Sequence, residues 1–282
     1  MKISIIGDSC TDLTPALARV LGVSIAPLKI KVGDAVQHVD DGSLDTVQLI
    51  REMKACRTSP TTACPSPDEY AARMRECEAC FVITLSSKLS GSYNAACVAR
   101  DMVLEDEPGK KIAVLDSESA AAGQTLIALT LRRLIDEELE FDEIERRIRA
   151  FIAPMRTRFV LEDLSNLIKN GRISKMAGFV GTMLNLRPLM ADNGHGEITC
   201  LEKIRGTANA MHRLVERVAE ETASDGPDSL TLVLSYCNCP QRAAALKKDF
   251  LAKCRALREV VMVPTGGIST VYAFDGGVVI AF

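Results

Sequence analysis

Hydroxyl-bearing side chains are concentrated in two short segments, each of which precedes a predicted helix. They are Thr61-Thr62-Ala63-Cys64-Pro65-Ser66 and Ser86-Ser87-Lys88-Leu89-Ser90-Gly91-Ser92-Tyr93. Ser90 is the predicted N-cap of the second helix, so the free backbone N–H groups of Gly91 and Ser92 would lie behind it. Unpaired N–H groups and the helix dipole attract an anion, and neighbouring hydroxyls can complete its binding site. Serines that only cap their helices would give the same pattern.

A cation follows a short predicted helix over about 161–170. The segment Lys169-Asn170-Gly171-Arg172-Ile173 puts Gly171 in the position of a left-handed cap and Arg172 just beyond it. The guanidinium group of Arg172 could donate two parallel hydrogen bonds to a carboxylate or phosphate. A surface arginine near a helix C-terminus would look the same. The residues alone leave both interpretations open.

One arrangement of residues would support nucleophilic catalysis. Gly7-Asp8-Ser9 follows the first predicted strand and resembles the opening of GDSL-type esterases, which pair it with an Asp-x-x-His near the C-terminus. Asp192-x-x-His195 could supply that pair, giving a triad of Ser9, Asp192 and His195. His195 lies between two glycines at a predicted hairpin tip, where a catalytic base is poorly held. This esterase is the enzymatic alternative.

The familiar nucleotide and metal motifs are missing from the sequence. There is no P-loop, and no Gly-x-Gly-x-x-Gly follows the first strand. Cys77-x-x-Cys80 and Cys237-x-Cys239 lie far apart without flanking histidines, so we interpret them as buried thiols rather than metal ligands. We therefore expect no metal site, no nucleotide site and no cofactor.

Composition excludes several classes of protein. The 282 residues carry 34 Lys and Arg against 37 Asp and Glu, a formal charge of −3, which argues against nucleic-acid binding or a polybasic membrane patch. No segment has about 18 uninterrupted apolar residues, so no membrane span is expected. The cysteines lack a disulfide-framework spacing, which favours a reduced, cytoplasmic protein.

The N-terminal half alternates short apolar strands with helices. Strands are predicted at Lys2–Ile6, Ala26–Val32, Phe81–Leu85 and Lys111–Leu115, with helices over about 13–21, 44–57, 67–78, 90–104 and 119–137. This alternation predicts a parallel sheet covered on both faces, which binds ligands at the carboxyl ends of its strands. From about 141 the pattern changes, and a hairpin is predicted over Leu186–Lys203 around Asp192-Asn193-Gly194-His195-Gly196. We place a domain boundary after residue 156.

Taken together and in this order, several short motifs resemble the DegV family. They are Asp8-Ser9-x-x-Asp12-Leu13, Thr62-Ala63-Cys64-Pro65-Ser66, Ser86-Ser87-x-Leu89-Ser90-Gly91-Ser92-Tyr93, Asp116-Ser117-x-Ser119 with Gly123, Asn170-Gly171-Arg172-Ile173, Leu184-Asn185-Leu186-Arg187-Pro188-Leu189, Lys203-x-Arg205-Gly206 and Ile280-Ala281-Phe282. Each motif is weak alone, but the ordered set extends from the first strand to the last residue.

The resemblance implies an α/β protein of two domains. Residues 1–156 would form a parallel-sheet α/β/α domain with carboxylate-binding loops, and 157–282 a mixed or antiparallel α+β domain that closes an acyl tunnel. Family members hold one long-chain fatty acid between their domains. Several are binding subunits of bacterial fatty acid kinase, which present the acyl carboxylate to a separate kinase subunit. The resemblance thus implies a carrier that is not itself an enzyme.

Site residues follow from the same resemblance. On the matching positions, Thr62 and Ser90 would hydrogen-bond the carboxylate with the N–H of Gly91, and Arg172 would lie near the head group and the kinase-facing surface. The family's last strand often follows a His-Thr-Gly-Pro-Gly segment whose His binds the carboxylate, and that His corresponds to Tyr272. A Tyr hydroxyl can donate the same bond but cannot become cationic, so less pH sensitivity is expected.

The first loop also departs from the family pattern, which usually reads Thr-Ser-Gln-Pro-Ser. Ala63 and Cys64 replace its middle pair. This change, with Tyr272, leaves open a carrier of another amphipathic anion, such as a lipid phosphate or a bile acid. A monomer is the expected state, because no a/d heptad seam appears.

Overall fold

The computed structural model describes residues 1–34, 36–173 and 185–282, so Leu184 of the sixth motif lies outside the described residues. In chain order, the elements of the first half are β1 (Ile3–Asp8), α1 (Pro15–Leu21), β2 (Val23–Ala26), β3 (Lys29–Val32), β4 (Val36–Val39), α2 (Thr46–Ala55), β5 (Thr61–Ala63), α3 (Pro67–Arg75), β6 (Ala79–Thr84), α4 (Ser92–Asp106), β7 (Lys111–Asp116), α5 (Ala122–Asp136) and α6 (Phe141–Ile152).

Those of the second half follow in the same way. They are β8 (Thr157–Val160), α7 (Ser165–Lys169), β9 (Leu186–Asp192), β10 (Ile198–Arg205), α8 (Thr207–Glu221), β11 (Leu230–Tyr236), α9 (Pro240–Lys253), β12 (Leu257–Pro264), α10 (Gly267–Ala273) and β13 (Val278–Ala281).

A parallel sheet in the order β2-β1-β6-β7 forms the centre of the first half. Successive side chains of a strand point to opposite faces, so Ile5 packs with helices α5 and α6 while Ile6 packs with α3 and α4. Phe81 and Val82 divide in the same way, and all four side chains are almost completely buried. The predicted parallel sheet with helices on both faces is confirmed.

The predicted single strand over Ala26–Val32 is wrong, because the chain changes sheets at Pro27. Proline has no N–H to donate to a ladder, and the N–H of Leu28 is donated to Ser9 Oγ at 3.0 Å. The strand β3 therefore leaves the parallel sheet and forms a three-stranded antiparallel sheet in the order β4-β3-β5. Thr62, which we expected in a loop, lies within β5 and pairs with Ile30.

A mixed sheet in the order β10-β9-β8-β13-β11-β12 forms the second half, as expected for the fold class. Only β11 and β12 pair in parallel, and α8 and α9 pack on the sheet. The predicted hairpin is confirmed, since β9 and β10 pair antiparallel around residues 193–197. Helix α10, between β12 and β13, was not predicted. It begins at consecutive glycines, which are poor helix formers, so the local sequence does not predict a helix there.

Candidate functional site

A cavity of about 350 Å³ draws its lining from both halves of the chain. This volume lies within the usual range for ligand pockets, which are mostly apolar with a few polar groups. The apolar residues of the lining include Cys10, Leu28, Leu85, Leu89, Phe159, Leu161, Leu167, Ile268, Ala273 and Val279. Such walls suit a hydrocarbon chain, so the polar groups of the lining decide what else the ligand carries.

All five residues that the sequence singled out for an anionic head group line this cavity: Thr62, Ser90, Gly91, Arg172 and Tyr272. Thr62 Oγ1 and the Tyr272 hydroxyl oxygen are 2.8 Å apart, although 210 positions separate them in the chain. The guanidinium carbon of Arg172 lies 5.9 Å from the centroid of the Tyr272 ring. Residues from a strand, two loops and a helix thus meet at one place.

Ser90 lies one residue before the position we expected. The N-cap of α4 is Gly91, and the helix begins at Ser92. Ser90 Oγ nevertheless accepts a hydrogen bond from the Ser92 N–H at 3.2 Å and lies 3.1 Å from Ser92 Oγ. Its hydroxyl is therefore held against the first turn of the helix.

Backbone oxygens hold Arg172 in place. Its Nε donates to the Leu89 carbonyl at 3.1 Å and its Nη1 to the Asn170 carbonyl at 2.5 Å. Gly171 adopts the left-handed conformation predicted for it, with φ of +76°. The side chain of Asn170 donates to the Pro60 carbonyl at 2.9 Å, which ties this segment to the chain entering β5.

Helix α10, which carries Tyr272, is capped by carboxylates from the first half of the chain. Asp40 accepts hydrogen bonds from the N–H groups of Gly267 and Ile268, both at 2.9 Å, and Asp12 Oδ1 accepts from Gly266 at 2.9 Å. Both acids are almost completely buried. Sequence reasoning missed this role, although the Asp8-Ser9-x-x-Asp12 motif pointed to the same loop.

Burial makes Asp12 an acid that resists ionisation. Desolvation raises its pKa to about 7, against the lowering effect of the Gly266 N–H, and it raises the pKa of Asp8 to about 6 and that of Asp40 as well. A raised pKa means that the folded state binds the proton more tightly than the unfolded chain. The stability that each acid contributes is therefore fully present below about pH 4 and is lost as the pH rises through the folded pKa.

We expect Asp12→Asn to remove part of this pH dependence. When the pH is raised from 4 to 8, the unfolding free energy of the wild-type protein should fall by at least about 2 kcal/mol more than that of the variant. The reason is that the variant has no carboxyl group to ionise at this position. Urea denaturation at several pH values measures the difference. Parallel curves for the two proteins would show that folding does not raise the pKa of Asp12.

The proposed esterase triad is not assembled. Ser9 Oγ is engaged by the Leu28 N–H. Asp192 accepts hydrogen bonds from the Thr157 N–H at 2.7 Å and from Arg158 Nη1 at 2.9 Å, so it holds the start of β8 rather than a histidine. His195 is exposed at the hairpin tip. A triad needs the serine, histidine and aspartate joined by hydrogen bonds. Here Ser9 and Asp192 have other hydrogen-bond partners, and His195 is exposed.

The described residues offer neither a cluster of metal ligands nor a membrane-spanning helix. Within residues 1–34, 36–173 and 185–282, no group of three or more His, Cys, Asp or Glu side chains could hold a metal ion. In the same ranges, none of the helices combines the length and the apolarity that a bilayer crossing requires.

Comparison with known proteins gives a family for this fold and cavity. The profile described as "Uncharacterised protein, DegV family" matches residues 2–282. A DegV domain-containing protein of Streptococcus pneumoniae is 34% identical over 290 residues, covering 100% of this chain and 99% of the relative. Among solved structures, the fatty acid kinase (Fak) B3 protein of Streptococcus pneumoniae, loaded with linoleic acid, is 31% identical with a TM-score of 0.90, covering 100% of this chain and 99% of that one.

A second solved structure is equally similar. It is a DegV family protein from Ruminococcus gnavus, refined with vaccenic acid, at 33% identity and a TM-score of 0.92, and the alignment covers 99% of both chains. The ordered motifs, the sheet topology and the full-length match agree, and the chain belongs to the DegV family.

Proposed function

We propose that this chain binds one long-chain fatty acid in the 350 Å³ cavity and holds the carboxylate at Thr62, Ser90, Gly91 and Tyr272. The observation that carries the proposal is the convergence of these polar groups and Arg172 on a cavity whose other walls are largely apolar. The vaccenic and linoleic acids bound by two relatives above 30% identity support the same ligand class.

The energetics favour an acyl chain with a satisfied head group. Burying a methylene group contributes roughly 0.8 kcal/mol, so a sixteen-carbon tail is worth on the order of 12 kcal/mol before entropic losses. An ionised carboxylate must find hydrogen-bond donors when it leaves water, or its desolvation would offset much of this gain. A tail in the apolar walls and a carboxylate at the hydroxyl cluster meet both conditions.

The hydroxyls have protons available for such a ligand. One proton is used between Thr62 Oγ1 and the Tyr272 hydroxyl, and the acceptor of that bond keeps its own proton for the carboxylate. Ser90 Oγ already accepts the Ser92 N–H, so its own proton can point to Ser92 Oγ or, when a ligand is bound, to the carboxylate. The guanidinium of Arg172, stacked near Tyr272, adds positive charge beside the head group.

The chain acts, in this proposal, as the binding subunit of a fatty acid kinase. It would present the carboxylate to a separate kinase subunit near Arg172, would use no cofactor, and would make no covalent change itself. We further propose a domain boundary between residues 156 and 157, where the mixed sheet begins, and a monomer in the cytoplasm, where its ten thiols would stay reduced.

Mass spectrometry tests this function. Lipid extracted from the purified protein should contain one equivalent of a C14–C18 fatty acid, with the ratio set by native mass spectrometry. Delipidated protein should take up palmitate at micromolar levels. A bound lipid phosphate or bile acid that palmitate does not displace would instead favour the carrier of another amphipathic anion, and failure to bind any acyl chain would refute the proposal.

The replacement of the family histidine by Tyr272 has a testable consequence. We expect Tyr272→His to bind fatty acid about five- to tenfold more tightly at pH 6 than at pH 8, since an imidazolium forms a charge-assisted bond. Wild-type affinity should change less than about twofold, because a tyrosine cannot become cationic. Displacement of a fluorescent fatty acid measures both profiles, and identical profiles would place residue 272 away from the carboxylate.

A further inference from the structure

Two cysteines outside the fatty-acid cavity lie at the junction of α3 and β6. Cys77 is the second residue after the helix, and Cys80 is the second residue of the strand. The side chain of Cys80 is completely buried, whereas that of Cys77 is half-buried. Cys77 packs against the apolar cluster that contains Cys80, and its thiol donates a hydrogen bond to the Arg73 carbonyl at 3.2 Å. A disulfide between the two would replace the hydrogen bond from the Cys77 thiol to the Arg73 carbonyl.

Cys77 can be reached from the surface. It lines an open surface depression together with Glu78 and residues 107–110. The Lys110 ammonium is held there by the Glu107 carboxylate at 3.1 Å and by the Arg75 carbonyl at 3.0 Å, and only 5% of its side chain is exposed. A fixed cation beside a half-buried thiol stabilises the thiolate, which is the reactive form.

The electrostatics of the pair are unequal. The interaction with the Cys80 thiol is the largest cause that lowers the pKa of Cys77 to about 6; Ser4 and Lys110 act in the same direction, while burial and the Glu76 carboxylate oppose them. The pKa of Cys80 is raised by the same interaction and by burial. Cys77 therefore has the properties of an attacking thiolate, and Cys80 those of a protonated partner.

We propose that Cys77 and Cys80 form a redox pair, in which hydrogen peroxide oxidises Cys77, Cys80 resolves the product as an intramolecular disulfide, and a dithiol reduces that disulfide again. The Cys77 thiolate attacks one peroxide oxygen, the O–O bond breaks, and a solvent proton completes a sulfenic acid and one water. The Cys80 thiol then attacks the Cys77 sulfur, the S–O bond breaks, and the leaving hydroxide takes the Cys80 proton as a second water. The two sulfurs lose two electrons, and hydrogen peroxide gains them.

The chain contains a second closely spaced pair that serves as an internal control. Cys237 is completely buried, and Cys239 donates its thiol to the Gly277 carbonyl at 3.8 Å. Burial raises the pKa of Cys237 to about 11 and also raises that of Cys239. Close spacing alone would favour both pairs, whereas access and charge favour only Cys77 and Cys80.

Peptide mapping of the full-length protein tests the proposal. After treatment with hydrogen peroxide and alkylation, the peptide that spans Cys77 and Cys80 should lose two hydrogens, escape alkylation and recover both thiols with dithiothreitol. In the Cys80→Ser variant, dimedone should label Cys77, because the sulfenic acid is no longer resolved. Cys237 and Cys239 should remain reduced. A disulfide elsewhere, no disulfide, or no dimedone label in that variant would overturn the proposal.

The pH dependence of the alkylation rate of Cys77 distinguishes a reactive thiolate from a thiol that is merely packed beside Cys80. The rate of Cys77 alkylation should reach half of its maximum at a clearly lower pH than that of Cys200, a half-buried thiol on the Glu202 carbonyl whose pKa is raised by burial. The midpoint is diagnostic rather than the rate at pH 7, because nucleophilicity falls as the pKa falls. Lys110→Met should shift the Cys77 midpoint upward. A Cys77 midpoint equal to that of Cys200 would contradict the redox pair.

Discussion

Replacing Thr62 and Ser90 together by alanine should weaken fatty-acid binding about 10²- to 10⁴-fold. A hydrogen bond to a charged group contributes about 1.5–3 kcal/mol, and every 1.4 kcal/mol is tenfold in affinity. The double variant removes two donors while the apolar walls that bind the acyl chain stay unchanged. Titration of delipidated protein with palmitate measures the loss.

The control for this experiment lies in the same loop. Ser87 is exposed and is not among the described residues that line the cavity, so Ser87→Ala should bind palmitate like the wild-type protein. The single variants Thr62→Ala and Ser90→Ala should each cost less than the double variant, although not additively, because both hydroxyls would act on one carboxylate. Unchanged affinity in the double variant would remove the head-group assignment while leaving the cavity as an acyl site.

Asp40→Ala should lower the free energy of unfolding by about 2–6 kcal/mol. The carboxylate of Asp40 accepts the N–H groups of Gly267 and Ile268, and each donor left unsatisfied in a buried position costs about 1–3 kcal/mol. Helix α10 has seven residues and consecutive glycines at its start, so it depends on this cap more than a longer helix would. Urea or thermal denaturation of the delipidated proteins gives the difference.

The same variant should also weaken palmitate binding, because α10 carries Tyr272 to the cavity. The neighbouring acid provides the control: Asp41 is exposed and accepts its hydrogen bonds from Ser43 in its own turn, so Asp41→Ala should change stability by less than about 1 kcal/mol. Asp40→Asn keeps one acceptor and should fall between the two. Equal stability of Asp40→Ala and Asp41→Ala would show that the cap does not hold the helix.

The two variants with large expected effects change the same site in different ways. Thr62 and Ser90 are proposed to touch the ligand, whereas Asp40 only positions the helix that carries Tyr272. Loss of the hydroxyls should therefore reduce affinity with little change in stability, and loss of the carboxylate should reduce both. Measuring affinity and stability on each variant separates a binding role from a positioning role.

Local sequence was sufficient for those features that depend on neighbours in the chain. Runs of apolar residues predicted the parallel strands, since a strand covered by helices on both faces must be apolar on both. Gly171 was predicted in the left-handed conformation, because a helix end beside glycine favours it. The hydroxyl segments around Thr62 and Ser90 were identified because small polar residues before a helix are an anion-binding pattern.

Tertiary structure decided the features that depend on distant partners. Thr62 lies in a strand because its segment pairs with β3. Asp192 accepts hydrogen bonds from Thr157 and Arg158 rather than from His195. Helix α10 exists where consecutive glycines argue against it, because carboxylates more than 220 positions away cap its N–H groups. The pattern of apolar residues in a sequence indicates which side chains are buried, but it does not indicate which distant residues they contact. The candidate site of this protein depends on contacts between distant residues.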